Sequence, residues 1–179
     1  MSKIGRRPVV LGSVKVEVKG QDVHFTGAHA AGVHHLPNEL EATVNDGKLF
    51  LVAKENSRDT RQVWGLHRAL LSNKIVGSGT LFEKKVQIVG LGYKALAKGN
   101  VLEFNLGFSH KIEVGLPKDV VVEIDKTGQL LTFKSANREI LGKMCGDLRK
   151  LKPTEPYKGT GVRVTTDVVI KKAGKAKSA

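Results

Sequence analysis

Val120-Val121-Val122-Glu123-Ile124, then Asp125-Lys126-Thr127-Gly128-Gln129, then Leu130-Leu131-Thr132-Phe133: two β-branched and apolar runs are joined here by a polar, glycine-bearing turn. Runs of this composition around such a turn predict a β-hairpin. The same arrangement occurs about eighty residues earlier, where residues 40–44 and 49–53 flank Asn45-Asp46-Gly47. There Asp-Gly supplies the turn. The recurrence extends outward. Leu36-Pro37 matches Leu116-Pro117 at a spacing of 80, and Lys19-Gly20 and Phe25 match Lys98-Gly99 and Phe104 at 79. Gly47, Leu49, Asn56, Gly65 and Arg68 match Gly128, Leu130, Asn137, Gly146 and Arg149 at 81. A period this long means a duplicated domain, not a solenoid.

Within each copy, strands precede one helix. Val14, Val16 and Val18 alternate with Lys15, Glu17 and Lys19, the two-residue period of a half-buried strand. Gly20-Gln21-Asp22 then turns the chain into residues 23–26. The second copy has strands at 86–89, 95–96, 101–106, 111–114, 120–124 and 130–133. Ser57 or Asp59 caps the first helix, which is expected to run to about Ser72 with Val63, Leu66 and Leu70 inward and Trp64 and Leu71 on the margin. Asn137 caps the second, where Ile140, Leu141, Met144, Cys145, Leu148 and Leu151 recur at helical spacing until Pro153 stops it. The expected fold is α+β. It has two duplicated small domains, 1–81 and 82–153, each a mostly antiparallel or mixed sheet packed with one helix. A basic loop and C-terminal tail, 154–179, is associated with the second.

Charge locates the function. The net charge is +13 and the pI about 9.9, yet residues 149–179 alone hold nine Lys/Arg against two acids. A localised basic excess of this kind is the electrostatic footprint of nucleic-acid binding. Inside it stands Pro156-Tyr157-Lys158-Gly159-Thr160-Gly161: a rigid start, an aromatic, a cation and two positions without side chains. Glycine allows positive φ and close approach to a phosphate chain, while cations such as Lys158, Arg163, Lys171 and Lys172 displace counterions. Residues 171–179 are expected to be disordered alone and to order on the bound nucleic acid.

Other function classes find little support. No apolar run approaches a membrane span, and the N-terminus lacks a signal peptide's apolar stretch. The single cysteine, Cys145, falls on the apolar helical stripe and fits a reducing, cytoplasmic compartment. His24, His29, His34, His35, His67 and His110 fit no zinc spacing, and His29, His34 and His35 are expected to face solvent in a Gly/Ala-rich loop. Gly90-Leu91-Gly92-Tyr93-Lys94-Ala95 mimics a dinucleotide fingerprint, but Lys98-Gly99-Asn100 leaves no room for the helix that motif needs. No carboxylate pair, P-loop or nucleophile–base arrangement occurs, so neither enzyme, cofactor, metal nor small-molecule substrate is expected.

Five strings carry a family resemblance. Residues 2–8 (Ser-Lys-Ile-Gly-Arg-Arg-Pro), 68–73 (Arg-Ala-Leu-Leu-Ser-Asn), 90–95, Leu106-Gly107-Phe108-Ser109-His110 and 153–162 resemble, in order, motifs of the large-subunit ribosomal proteins of the L-six family. The resemblance covers essentially the whole chain, and the last string is its most specific part. It implies a duplicated α+β fold that binds large-subunit ribosomal RNA mainly through the second domain. The implied position is near the factor-binding, stalk-base region, beside other ribosomal proteins and in transient proximity to translation factors. Carried over residue by residue, the RNA contacts fall on Pro156, Tyr157, Lys158, Gly159, Gly161 and Arg163, then Lys171 and Lys172, with Gly92, Tyr93 and Lys94 as a second group. Thr160 belongs to the loop, and Arg149 and Lys152 adjoin it. Thr160 stands where the family usually has lysine and Val164 where it often has an aromatic. Two stretches of the first domain also depart from the family pattern, residues 27–32 and 74–79. A nucleic-acid module working off the ribosome, and a nucleotide enzyme using the 90–95 loop, are the competing readings.

Overall fold

Alternating apolar residues, Asp-Gly and Lys-Gly turns and two helical stripes fold as an α+β protein. The computed structural model describes residues 2–55 and 57–174. Two compact units divide the described chain, one reaching to Leu81 and including Ala136–Arg138, the other comprising Phe82–Ser135 and everything from Glu139 on.

The first unit contains β1 (Val9–Val10), β2 (Lys15–Lys19), β3 (Asp22–Thr26), β4 (Ala31–His35), β5 (Leu40–Asn45), β6 (Lys48–Ala53) and α1 (Arg58–Gly79). Its strands form two antiparallel sheets, β1-β6-β5 and β2-β3-β4. The β5–β6 hairpin closes through Asp46 and Gly47, both at positive φ (50° and 69°), the geometry a two-residue type I′ turn requires. Val23, Leu36, Leu40, Leu49 and Leu71 are completely buried in the core between the sheets and α1.

The second unit repeats this plan with β7 (Phe82–Val89), β8 (Lys94–Lys98), β9 (Val101–Asn105), β10 (Ile112–Gly115), β11 (Val120–Ile124), β12 (Leu130–Ser135) and α2 (Arg138–Leu151). Then comes one strand more, β13 (Gly161–Val164). The meander β8-β9-β10 answers β2-β3-β4, and β11-β12-β7 answers β5-β6-β1, with β13 added at the free edge of β7. Leu141, Met144, Cys145 and Leu148 bury the stripe of α2 against Val86, Ile88, Phe104 and Phe133. Burial pushes the Cys145 thiol up, so it is packing material and not a ready thiolate.

Several expectations need correction. Helix α1 does not end near Ser72; it continues to Gly79, because Ile75, Gly77 and Ser78 are buried and the last turn has a surface to pack on. Its inward face is Thr60, Leu71, Ile75 and Ser78, whereas Leu66 is exposed. Trp64 sets that rotation by donating Nε1–H to the Leu51 carbonyl (2.9 Å). The N-cap is Ser57, whose Oγ accepts from the Thr60 amide (3.1 Å). Residues 27–32 and 74–79, the two departures from the family pattern, fit one another. A Cβ on Gly27 would lie 2.3 Å from the Ser78 carbonyl oxygen, which also accepts from the His29 amide (3.0 Å).

His34 is not solvent-facing: it lies on β4 and is buried. Lys74 Nζ donates to its Nδ1 (3.0 Å), and its Nε2 is 3.0 Å from His67 Nδ1. Burial first, then the Lys74 ammonium, lowers its pKa to about 4, and burial likewise lowers that of His67. The match of Leu49 to Leu130 is one residue out of step. Leu49 faces Val44 as Leu131 faces Ile124, and it is Leu131 that is fully buried. The longer turn of the second copy moves the partner, and a one-residue slip exchanges the two faces of a strand.

Candidate nucleic-acid interface

The basic segment is built onto the sheet. Residues 161–164, read from the sequence as part of a loop and arm, form β13, paired antiparallel to β7 with Gly161 opposite Val89 and Val164 opposite Val86. Val162 is completely buried, and its amide donates to the Lys152 carbonyl (2.8 Å). Between α2 and β13, residues 153–160 form a closed turn. The Glu155 amide donates to the Thr160 carbonyl and the Gly159 amide to the Glu155 carbonyl, both at 2.9 Å. Thr160 Oγ1 adds a bond to Glu155 Oε2 (3.1 Å), so threonine helps hold the turn. A third strap comes from downstream, where the Lys172 amide donates to the Pro156 carbonyl (2.8 Å).

This closure fixes what faces outward. Tyr157 is 55% exposed, which excludes core packing as its role, and Lys158 beside it is exposed too. The two glycines of the loop are covered from within the protein. Gly159 (φ 74°) is buried beneath the Lys171 side chain, whose Cε would lie 3.3 Å from an added Cβ. Gly161 (φ 140°) is buried against its own chain, where a Cβ would meet the Pro153 and Lys152 carbonyl oxygens at 2.7 and 2.9 Å. Both positions hold the loop's shape, and the space they leave is already filled by protein.

Lys152 joins this loop to the second candidate group. Its ammonium donates to Tyr93 Oη (2.7 Å) and to the Leu106 carbonyl (2.6 Å), and lies 4.6 Å from the Tyr93 ring centre. The Tyr93 ring is wedged between Gly90 and Gly107, at either of which a Cβ would come within 3 Å of it. The residues after Gly90 turn directly into β8, not into a helix, so no helix dipole is available for a pyrophosphate. Gly92 (φ 73°) occupies the turn, and Leu91 and Lys94 are exposed.

The cations differ in how free they are. Arg163 is positioned by Gln87, donating through Nε and an Nη to its neutral amide Oε1 (3.2 and 2.9 Å), and keeps its charge. Arg149 Nε lies 3.5 Å from Asp167 Oδ2, which also accepts from the Val164 amide (3.2 Å). Lys94, Lys158, Lys171 and Lys172 are all exposed, and among the described residues none of the four enters an ion pair. Lys175 and Lys177, the remaining cations of the tail, lie outside the described residues. No three His, Cys, Asp or Glu side chains gather as a metal-binding group among the described residues, and no helix there is long and apolar enough to cross a membrane.

This part of the chain is also where its kinship is written. Residues 89–165 match the family described as Ribosomal protein L6, from the last residue of β7 to just past β13. Over the longer span, the large ribosomal subunit protein uL6 of Campylobacter fetus is 36% identical, with 98% of each chain covered. The chain belongs to the ribosomal protein L6 family. Its uL6 relatives in Pseudomonas paraeruginosa (37% identical, 99% of this chain and 100% of that one) and Myxococcus xanthus (35%, 98% of each) align as completely. The L6 match contains every candidate contact except Lys171 and Lys172. Sequence reasoning missed two residues of this face, Leu91 and Phe108, although both stood inside its quoted strings. Their signal was an apolar side chain placed beside glycine in a loop.

Proposed function

We infer that this chain is a structural, non-enzymatic constituent of the large ribosomal subunit. It binds large-subunit ribosomal RNA through the β7–β13 end of its second unit and the basic arm of residues 154–179. The observation that carries this is the closed Glu155–Thr160 turn, which holds Tyr157 and Lys158 outward with Lys171 and Lys172 beside it, unneutralised. Folded RNA is recognised chiefly by shape and by phosphate and 2′-hydroxyl contacts, which a rigid cationic edge suits. Lys158, Lys171, Lys172 and Lys94 meet phosphates, Arg163 contributes from its Gln87-held position, and Tyr157 packs on a ribose or base. The bound region is that of the stalk base, where translation factors dock, beside neighbouring ribosomal proteins. The kinship to large-subunit proteins and the position of the family match support this reading.

The test is the salt dependence of binding to purified large-subunit ribosomal RNA. If these five cations each neutralise a phosphate, log affinity falls against log salt with a slope of roughly −3.5 to −4.5. Lys158→Glu is expected to weaken binding and flatten the slope, while Asp22→Lys, in the first unit, changes little. Equal behaviour of the two variants would refute the assignment.

A further inference from the structure

Phe108 is the one exposed phenylalanine of the six in this chain, at 42% exposure. It stands in the β9–β10 loop, and nothing in the RNA contacts above uses it. Its ring is nonetheless held. His110 stacks with it, ring centres 6.1 Å apart and planes 25° from parallel. The Lys152 ammonium lies 4.8 Å from its centre while anchored to Tyr93 Oη and the Leu106 carbonyl. On the other side of Tyr93, the tip of the 90–94 loop presents Leu91 fully to solvent. An exposed aromatic that costs solvation, is held by two neighbours and still leaves 42% of its surface open is preorganised for a flat partner.

We propose that Phe108, backed by His110 and steadied by Lys152, is a stacking platform for an unpaired nucleobase of the bound RNA. This rests on the RNA-binding role inferred above and adds a mode of contact to it. The occupant follows from charge. Neither residues 90–94 nor 106–110 contain an acid, the charged group against the ring is the Lys152 ammonium, and the next residue along the chain, Lys111, is paired with Glu103. An apolar face set in positive potential suits a base attached to a phosphate chain better than an apolar protein surface. Single-stranded loops and bulges of RNA are read by such stacking, which is sequence-tolerant because every base has a π-face.

The experiment uses the full chain and purified large-subunit ribosomal RNA at fixed salt, with a fully paired RNA duplex as reference. Removing a stacking aromatic weakens binding by roughly 5- to 150-fold. Phe108→Leu is therefore expected to bind ribosomal RNA about tenfold or more weakly, with an unchanged salt slope and unchanged duplex binding. Phe108→Trp keeps the affinity, and in a Trp64→Phe background its emission is quenched on binding. Since Phe108 is exposed, an unaltered thermal transition of Phe108→Leu is the folding control. Wild-type affinity of Phe108→Leu for ribosomal RNA overturns the proposal; if incorporation into subunits nevertheless drops, the platform serves a protein partner. An equal loss on the duplex also overturns it. Absence of salt-dependent binding by the wild type would instead remove the RNA-binding reading, and the platform with it.

Discussion

Replacing Gly161 by alanine tests whether the shape of the 153–160 loop is imposed by the protein itself. The added methyl group would lie 2.7 Å from the Pro153 carbonyl oxygen and 2.9 Å from both the Lys152 carbonyl oxygen and Thr154 Cα. All three are main-chain atoms and cannot swing away. Overpacking of this kind typically costs about 1–3 kcal/mol, and a non-glycine residue held at φ 140° adds about 1–3 kcal/mol of strain. A total of about 3–4 kcal/mol is expected, more than the burial of Val162 on β13 supplies (roughly 1.5–3 kcal/mol by transfer of one such side chain). The edge strand should therefore loosen before the unit unfolds. Trp64, the only tryptophan, belongs to the first unit and cannot report this. Hydrogen exchange at the Val162 amide can, because that amide donates to the Lys152 carbonyl. Gly161→Ala without RNA should exchange there at least 100-fold faster than wild type, corresponding to about 3 kcal/mol. Protection within fivefold of wild type would show that the crowding is not real. The glycine would then be free to serve the ligand, as its sequence alone suggests.

Two further substitutions or titrations follow from the same geometry. Gly146, inside α2 with nothing within 4 Å of an added Cβ, should accept alanine and gain up to about 1 kcal/mol, read as a higher denaturant midpoint; a lower midpoint would contradict its open surroundings. The neutral His34 of the folded first unit, with its pKa lowered to about 4 against an ordinary 6.5, binds its proton only in the unfolded chain between those values. Stability is thus complete above pH 6.5 and falls by about 3 kcal/mol as pH drops toward 4. Imidazole resonances followed by NMR should show His34 titrating near 4, and a midpoint above 6 would disprove the buried His34–His67–Lys74 arrangement.

Much of the fold was legible because its signals are local. The Asp46-Gly47 turn, the alternation along residues 14–19 and the stripe of α2 each carry their cause within a few residues. What escaped depends on partners distant in sequence. Strand β4 consists of Ala-Gly-Val-His-His, in which only Val33 is a strong strand former, and it is extended because β3 offers a ladder. Strand β13 begins with a glycine in a turn-rich string and exists because β7 has a free edge. The end of α1 holds three glycines within its last fifteen residues and persists through the burial of Ile75 and Ser78. At the candidate site the composition indicated cations and a Tyr-Lys tip, and those stand outward. It did not indicate that Lys152 and Arg163 are engaged within the protein, nor that Gly159 and Gly161 are covered. Such facts concern side-chain partners, which composition does not encode.

The pairing of Gly161 with Val89 joins residues 72 positions apart in the chain. Closing so long a loop is entropically costly, and contacts of this range form late. A second unit that has collapsed but not yet docked its last strand would already carry every lysine of the arm, with nothing to hold them in place. It would cling to any polyanion. On the proposed function, only the finished sheet would turn that stickiness into discrimination, which would couple maturation of this surface to completion of the fold.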